Sequence, residues 1–141
     1  MNRTPHDLDA QLAAVPVLAG LSKRQRRKLL DESKVIRHDA GQAVAMEGDG
    51  ALALHVVLSG KATVSLKGRE LRELGPGDYF GEISMIDGKP RSASVSASEA
   101  LESLAVPHVA FRALLQSEPE CAQGLLEQLC VRLREAEARA S

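Results

Sequence analysis

From Lys34 to Val106 apolar and polar residues alternate in short runs. Ala93, Val95 and Ala97 interleave with Ser94, Ser96 and Ser98, and Ala62, Val64 and Leu66 interleave with Thr63 and Ser65. A period of two marks a half-buried strand. The β-leaning runs are residues 34–38, 42–46, 53–58, 61–66, 70–74, 92–98 and 100–106. Turns rich in Gly, Pro and Asp separate them: Asp39-Ala40-Gly41, Gly48-Asp49-Gly50, Ser59-Gly60, Lys67-Gly68, Gly75-Pro76-Gly77-Asp78 and Asp87-Gly88-Lys89-Pro90. Many short strands with regular turns predict a small sandwich or barrel.

Both flanks read as helix. Over residues 8–33 the apolar stripe is Leu8, Leu12, Val15, Leu18 and Leu21, broken at Pro16 and Gly20. Ser22 is a candidate N-cap for a second helix reaching Leu30. After the strands, Pro107 suits a first helical position and His108 to Gln116 form one helix. Ser117 is a candidate cap for a last helix that runs to about Arg139, with the stripe Ala122, Leu125, Leu126, Leu129 and Leu133. The class is mainly β with flanking helices, in one domain over residues 1–141: helices 1–33, strands 34–106 and helices 107–141.

Composition narrows the chemistry. The 141 residues are 44% hydrophobic, with two Phe, one Tyr and no Trp. The core is therefore aliphatic, and a stacking platform for nucleic-acid bases is lacking. A net charge of −1 offers no global attraction to nucleic acid or an anionic membrane. No apolar run approaches the roughly 20 residues of a membrane span, and the first seven residues do not resemble a signal peptide. These features predict a cytoplasmic protein. Cys121 and Cys130 fall in one predicted helix, about 13.5 Å apart along its axis. That is beyond the roughly 7 Å limit for a disulfide, so both are expected as free, buried or half-buried thiols. His6, His38, His55 and His108 are scattered without metal-ligand spacing, and no Gly-x-Ser-x-Gly is present, so neither a metal nor catalysis is expected.

The candidate chemistry lies in Phe80-Gly81-Glu82-Ile83-Ser84 and, seven residues after Ser84, Arg91-Ser92-Ala93-Ser94-Val95. Gly81 lets backbone approach a ligand closely. A helical turn at residues 82–86 offers N–H groups with no internal acceptor, which an anion satisfies. An ionised Glu82 only accepts hydrogen bonds, so it needs a donor such as a ribose hydroxyl. The Arg91 fork matches two phosphate oxygens and counters both negative charges. The Ser92 hydroxyl adds a bond to phosphate or to a purine edge. Each residue alone has a plainer role: a helix cap, a solvated strand end, or an ion pair worth under about 1 kcal/mol. Together, in this order, they point to a sugar phosphate.

In these segments the chain resembles the cyclic nucleotide-binding domain family, which includes the catabolite activator protein, the regulatory subunits of cyclic-AMP-dependent kinase and cyclic-nucleotide-gated channels. The family's phosphate-binding cassette, here residues 77–95, matches both segments. The resemblance extends to Glu47-Gly48-Asp49, Gly60, Gly77-Asp78 and the helical motif Pro16 to Ser22. It implies a double-stranded β-helix (jelly-roll) barrel and a non-catalytic sensor of a 3′,5′-cyclic purine nucleotide, cyclic AMP first and cyclic GMP second. It assigns the ribose 2′-hydroxyl to Glu82 and the cyclic phosphate to Arg91. Gly81, Glu82, Ile83 and Ala93 supply backbone, Ser84 belongs to the same set, and Ser92 adds its hydroxyl. The last helix becomes a lid over the base, with Arg132 where several relatives carry a base-contacting arginine.

The chain departs from relatives at Ala136-Glu137, where some carry Thr-Ser, and it contains no DNA-binding module. The downstream protein partner is left open. The final stripe is too short for a stable coiled coil, so a monomer or weak dimer is expected. The basic run Lys23 to Lys28 reads as a solvated helix face beside acidic Asp31-Glu32. The alternatives are a degenerate form of the fold serving protein interaction, or the regulatory part of a transcription factor or enzyme.

Overall fold

The computed structural model describes residues 4–46, 48 and 53–140. The expected contributions of Glu47, Asp49 and Gly50 lie outside the described residues. Helix α1 (Pro5–Ala13) and helix α2 (Lys23–Asp31) flank a short 3-10 helix at Pro16–Leu18. Both α-helices start with reciprocal caps. Thr4 bonds the Asp7 amide while Asp7 returns to Thr4, and Ser22 and Gln25 do the same. Arg26 then ties α2 to α1 through Asp9 at 2.8 Å.

The strands are β1 (Lys34–His38), β2 (Ala43–Ala45), β3 (Ala53–Ser59), β4 (Ala62–Leu66), β5 (Arg69–Leu74), β6 (Tyr79–Phe80), β7 (Ser94–Ala97) and β8 (Leu101–Pro107). They form two four-stranded antiparallel sheets, ordered β1-β8-β3-β6 and β2-β7-β4-β5. The short β6 joins the edge of β3 and had no strand pattern of its own. Helix α3 (Glu82–Asp87) follows it directly. Helix α4 (His108–Ser117) and helix α5 (Pro119–Ala140) complete the chain. This is the jelly-roll arrangement with flanking helices.

Two clusters hold the layers together. Leu54, Val56 and Leu58 of β3 pack with Leu12, Leu18, Phe111 and Leu125 on the helical side. Val57 faces the other way, among Val64, Phe80, Val95 and Leu101 between the sheets. Strand β3 is therefore covered on both faces, which is why all its residues but His55 and Ser59 are apolar. At the β3–β4 turn Gly60 adopts φ +83°, and a Cβ there would sit 2.0 Å from the Ala100 carbonyl oxygen.

Three local expectations shift. Pro107 closes β8 and stands at the N-cap of α4, one position before its first helical residue. Ser117 is the last residue of α4, and Pro119 opens α5; the Glu118 carbonyl accepts from the Cys121 amide at 3.0 Å. A proline lacks the N–H that would be orphaned there, so the helix starts at Pro119. Both cysteines are free, but Cys130 is exposed on the outer face of α5, while Leu129 and Arg132 beside it still contact the body of the protein. Cys121 is buried, and its thiol donates to the Val17 carbonyl at 3.2 Å. Among the described residues no helix is long and apolar enough to cross a membrane.

Candidate functional site

The turn at Gly75 to Asp78 is closed by the Asp78 carboxylate, which accepts the Gly75 amide at 2.9 Å. It delivers β6 to β3 in the register His55 to Phe80 and Val56 to Tyr79. Tyr79 then faces the helical cluster and Phe80 the space between the sheets, where His55 stacks on its ring at 4.8 Å. Gly81 caps α3 at φ +96°. A Cβ at this position would lie 2.7 Å from the Ala53 carbonyl oxygen and 3.4 Å from Arg91 Nη1. Glycine is thus required twice, for the left-handed backbone and for the close approach.

The segments containing Gly81 and Arg91 converge on one cavity. Gly81, Glu82, Ile83 and Ser84 line one side, and Arg91, Ser92 and Ala93 the other, over a floor of Phe80 and Val95. The first turn of α3 has no side-chain cap, so its N–H groups are left for another acceptor. The cavity is narrow, about 40 Å³, against the several hundred Å³ of a small-molecule pocket.

Glu82 dominates the electrostatics. Its side chain is 2% exposed and forms an ion pair with Arg132 of α5 through Oε1. Arg132 also donates to the Tyr79 carbonyl at 2.8 Å and lies 4.6 Å over the Tyr79 ring. Burial pushes the Tyr79 hydroxyl up to about 12. The second carboxylate oxygen, Glu82 Oε2, is buried with no hydrogen-bond partner. Such an acceptor is costly unless a donor reaches it. A hydroxyl donor from a ligand fits that atom, so the cavity's chemistry suits a sugar phosphate: a hydroxyl for Glu82 and an anion for Arg91 and the start of α3.

The structure brings all eight expected residues to one place, with one difference in partnership. Arg91 was expected to balance Glu82, and Arg132 to face a base; in the structure Arg132 forms the ion pair with Glu82. One residue of the site was not foreseen. Arg72 of β5 lines the same cavity, and its Nε is buried with no hydrogen-bond partner. Burial, and then the like charge of Arg132, lower its pKa. It lies two residues before Leu74, on the same strand face. A charge at a core-facing position was the available signal.

The family model described as "Cyclic nucleotide-binding domain" matches residues 35–118. The chain belongs to the cyclic nucleotide-binding domain family. A cGMP-dependent protein kinase of Toxoplasma gondii is 40% identical over 88 residues, which are 62% of this chain and 9% of that protein. A cAMP-dependent protein kinase regulatory subunit of Emericella nidulans is 35% identical over 109 residues, 76% of this chain and 26% of the relative. Among solved structures, the Thermus thermophilus catabolite activator protein superposes with a TM-score of 0.76 at 35% identity, covering 89% of this chain and 61% of that one. This cyclic nucleotide-binding domain therefore spans less than two thirds of each of these proteins.

Proposed function

We propose that the chain is a non-catalytic regulatory receiver for cyclic AMP, acting in the cytoplasm and signalling through α5 to a protein partner. The observation that carries this reading is the buried Glu82 carboxylate, with one oxygen on Arg132 of α5 and the other without a donor at the cavity. In this reading Glu82 Oε2 accepts the ribose 2′-hydroxyl, and Arg91 holds the cyclic phosphate with the Gly81 to Ile83 and Ala93 backbone. Ser84 supports the α3 turn and Ser92 adds a hydroxyl bond. The ribose then competes with Arg132 for Glu82. The cavity widens as Arg132 turns toward the base, and α5 follows its side chain. Ligand binds the rearranged state better and so shifts the population toward it.

Calorimetric titration with cyclic AMP and cyclic GMP tests this. Arg91→Ala is expected to weaken binding at least tenfold, from the loss of charged hydrogen bonds each worth about 1.5–3 kcal/mol. Absence of heat with either nucleotide for the native protein would overturn the reading in favour of an interaction module.

Arg72 supports a second reading, in which cyclic GMP is the preferred ligand. A guanidinium addresses the O6 and N7 of guanine in bidentate fashion, and Arg72 Nε at the cavity is without a partner. If Arg72→Ala lowers cyclic GMP affinity and leaves cyclic AMP affinity intact, the second reading holds. If the native protein prefers cyclic AMP and the variant does not alter that ratio, it fails.

A further inference from the structure

The cassette helix is gripped at both ends by a neighbour that the ligand assignment does not use. At its start, His108 Nε2 donates to the Gly81 carbonyl at 3.1 Å. One turn further on, Arg112 donates to the Met85 carbonyl through Nη2. Both donors belong to α4 and stand four residues apart, so they share one face. Both acceptors also stand four residues apart. A step of four residues is about 6 Å along a helix, so the spacing of the two donors matches that of the two acceptors.

The chemistry of each contact is specific. Met85 lies in the last turn of α3, where carbonyls have no intrahelical partner. The helix carries no basic residue there, and α4 supplies the cation instead. The Gly81 carbonyl belongs to the left-handed residue at which an added Cβ would meet the Ala53 carbonyl oxygen and Arg91 Nη1. His108 therefore holds the peptide that joins β6 to α3, close to Arg91. The charged groups facing its ring are Arg91 from the cassette and Arg112 from its own helix, and the titratable His55 of β3 lies nearby.

We propose that His108 and Arg112 are positioning residues forming a two-point clamp, which holds the cassette in its binding geometry and passes its displacement to α4 and α5. The clamp rests on the cyclic nucleotide reading above. It gives that reading a polar route from the phosphate end of the site to the signalling helix, separate from the direct Glu82–Arg132 pair.

The test uses the full chain and cyclic AMP, with calorimetry and hydrogen exchange. For the native protein, cyclic AMP is expected to bind and to change exchange protection across residues 108–140. No binding there overturns the cyclic nucleotide reading itself, and the clamp with it. His108→Ala is expected to weaken binding about fivefold, the worth of one neutral hydrogen bond, and Arg112→Ala about tenfold or more. His108→Gln keeps a side-chain N–H donor and is expected to restore most of the loss. Val109→Ala, on the same helix at an 83% exposed position, controls for general disturbance of α4 and is expected to bind as the native chain does. In the His108→Ala/Arg112→Ala double variant, saturating ligand is expected to leave α4, residues 108–117, unchanged in protection, while α5 still responds through Arg132. The clamp is refuted if native binding is seen and both single variants match it. It is equally refuted if Gln fails to restore the Ala loss, or if the double variant still transmits the protection change to residues 108–117. If the double variant does not fold, the single variants and the Gln rescue decide the question.

Discussion

At Gly81 two demands meet in one residue. Its φ of +96° is a left-handed conformation, and its missing Cβ leaves room for the Ala53 carbonyl. Gly81→Ala is expected to cost about 1–3 kcal/mol in urea denaturation, typical of a strained backbone, and to abolish cyclic nucleotide binding in calorimetry. His55 shows a different constraint. Burial, and then the charge of Arg91, lower its pKa from 6.5 to about 4, while it stays stacked on Phe80. The folded state thus resists a proton that the unfolded chain accepts. Stability is complete above pH 6.5 and falls as pH drops toward 4. Denaturation at pH 5 is expected to show a loss of about 2 kcal/mol relative to neutral pH, and His55→Gln is expected to flatten that dependence. His108, whose pKa is also lowered by burial, pulls in the same direction.

Among the elements, α5 has two distinct halves. Its first turns bury Cys121 and Leu125 against the 3-10 helix and the sheet. Further along, Leu126, Val131 and Leu133 are exposed, and Arg132 reaches back to the cassette. Thiol labelling should report this division: Cys130 reacts in the native protein, whereas Cys121 reacts only on unfolding. Burial also pushes the Cys121 thiol up to about 11, which suppresses its thiolate. The Arg132 anchor sets a second expectation. Removing one partner of a buried ion pair strands the other charge, at a cost of about 3–5 kcal/mol. Arg132→Ala is therefore expected to destabilise the protein by about 3 kcal/mol. The Glu82→Gln/Arg132→Ala double variant should lose less, because no buried charge is left. A urea double-mutant cycle measures the difference.

Across the whole molecule, the jelly-roll brings Arg72 of β5 and the cassette around one narrow cavity, with Arg132 of α5 on Glu82 and α4 bonded to the cassette backbone. The cassette was legible in the chain because its parts are contiguous: Phe80 to Ser84 and Arg91 to Val95 carry their spacing with them. Most strands were legible from their period of two. The two-residue β6 escaped because so short a segment has no period, and its pairing with β3 is tertiary. The Glu82–Arg132 pair spans 50 residues, and the Gly81–His108 contact 27. Arg132 had a place in the expected site only through the family resemblance. Arg72, His108 and Arg112 had none. What the amino-acid order determined by itself was local: turn chemistry, strand and helix periodicity, and a cassette whose ligand chemistry is written in consecutive residues. Only tertiary packing decided that Arg132 meets Glu82, that Arg72 joins the cavity and that α4 grips α3. Those contacts depend on helix rotation and sheet register, which are set by burial of the whole apolar surface rather than by neighbours along the chain.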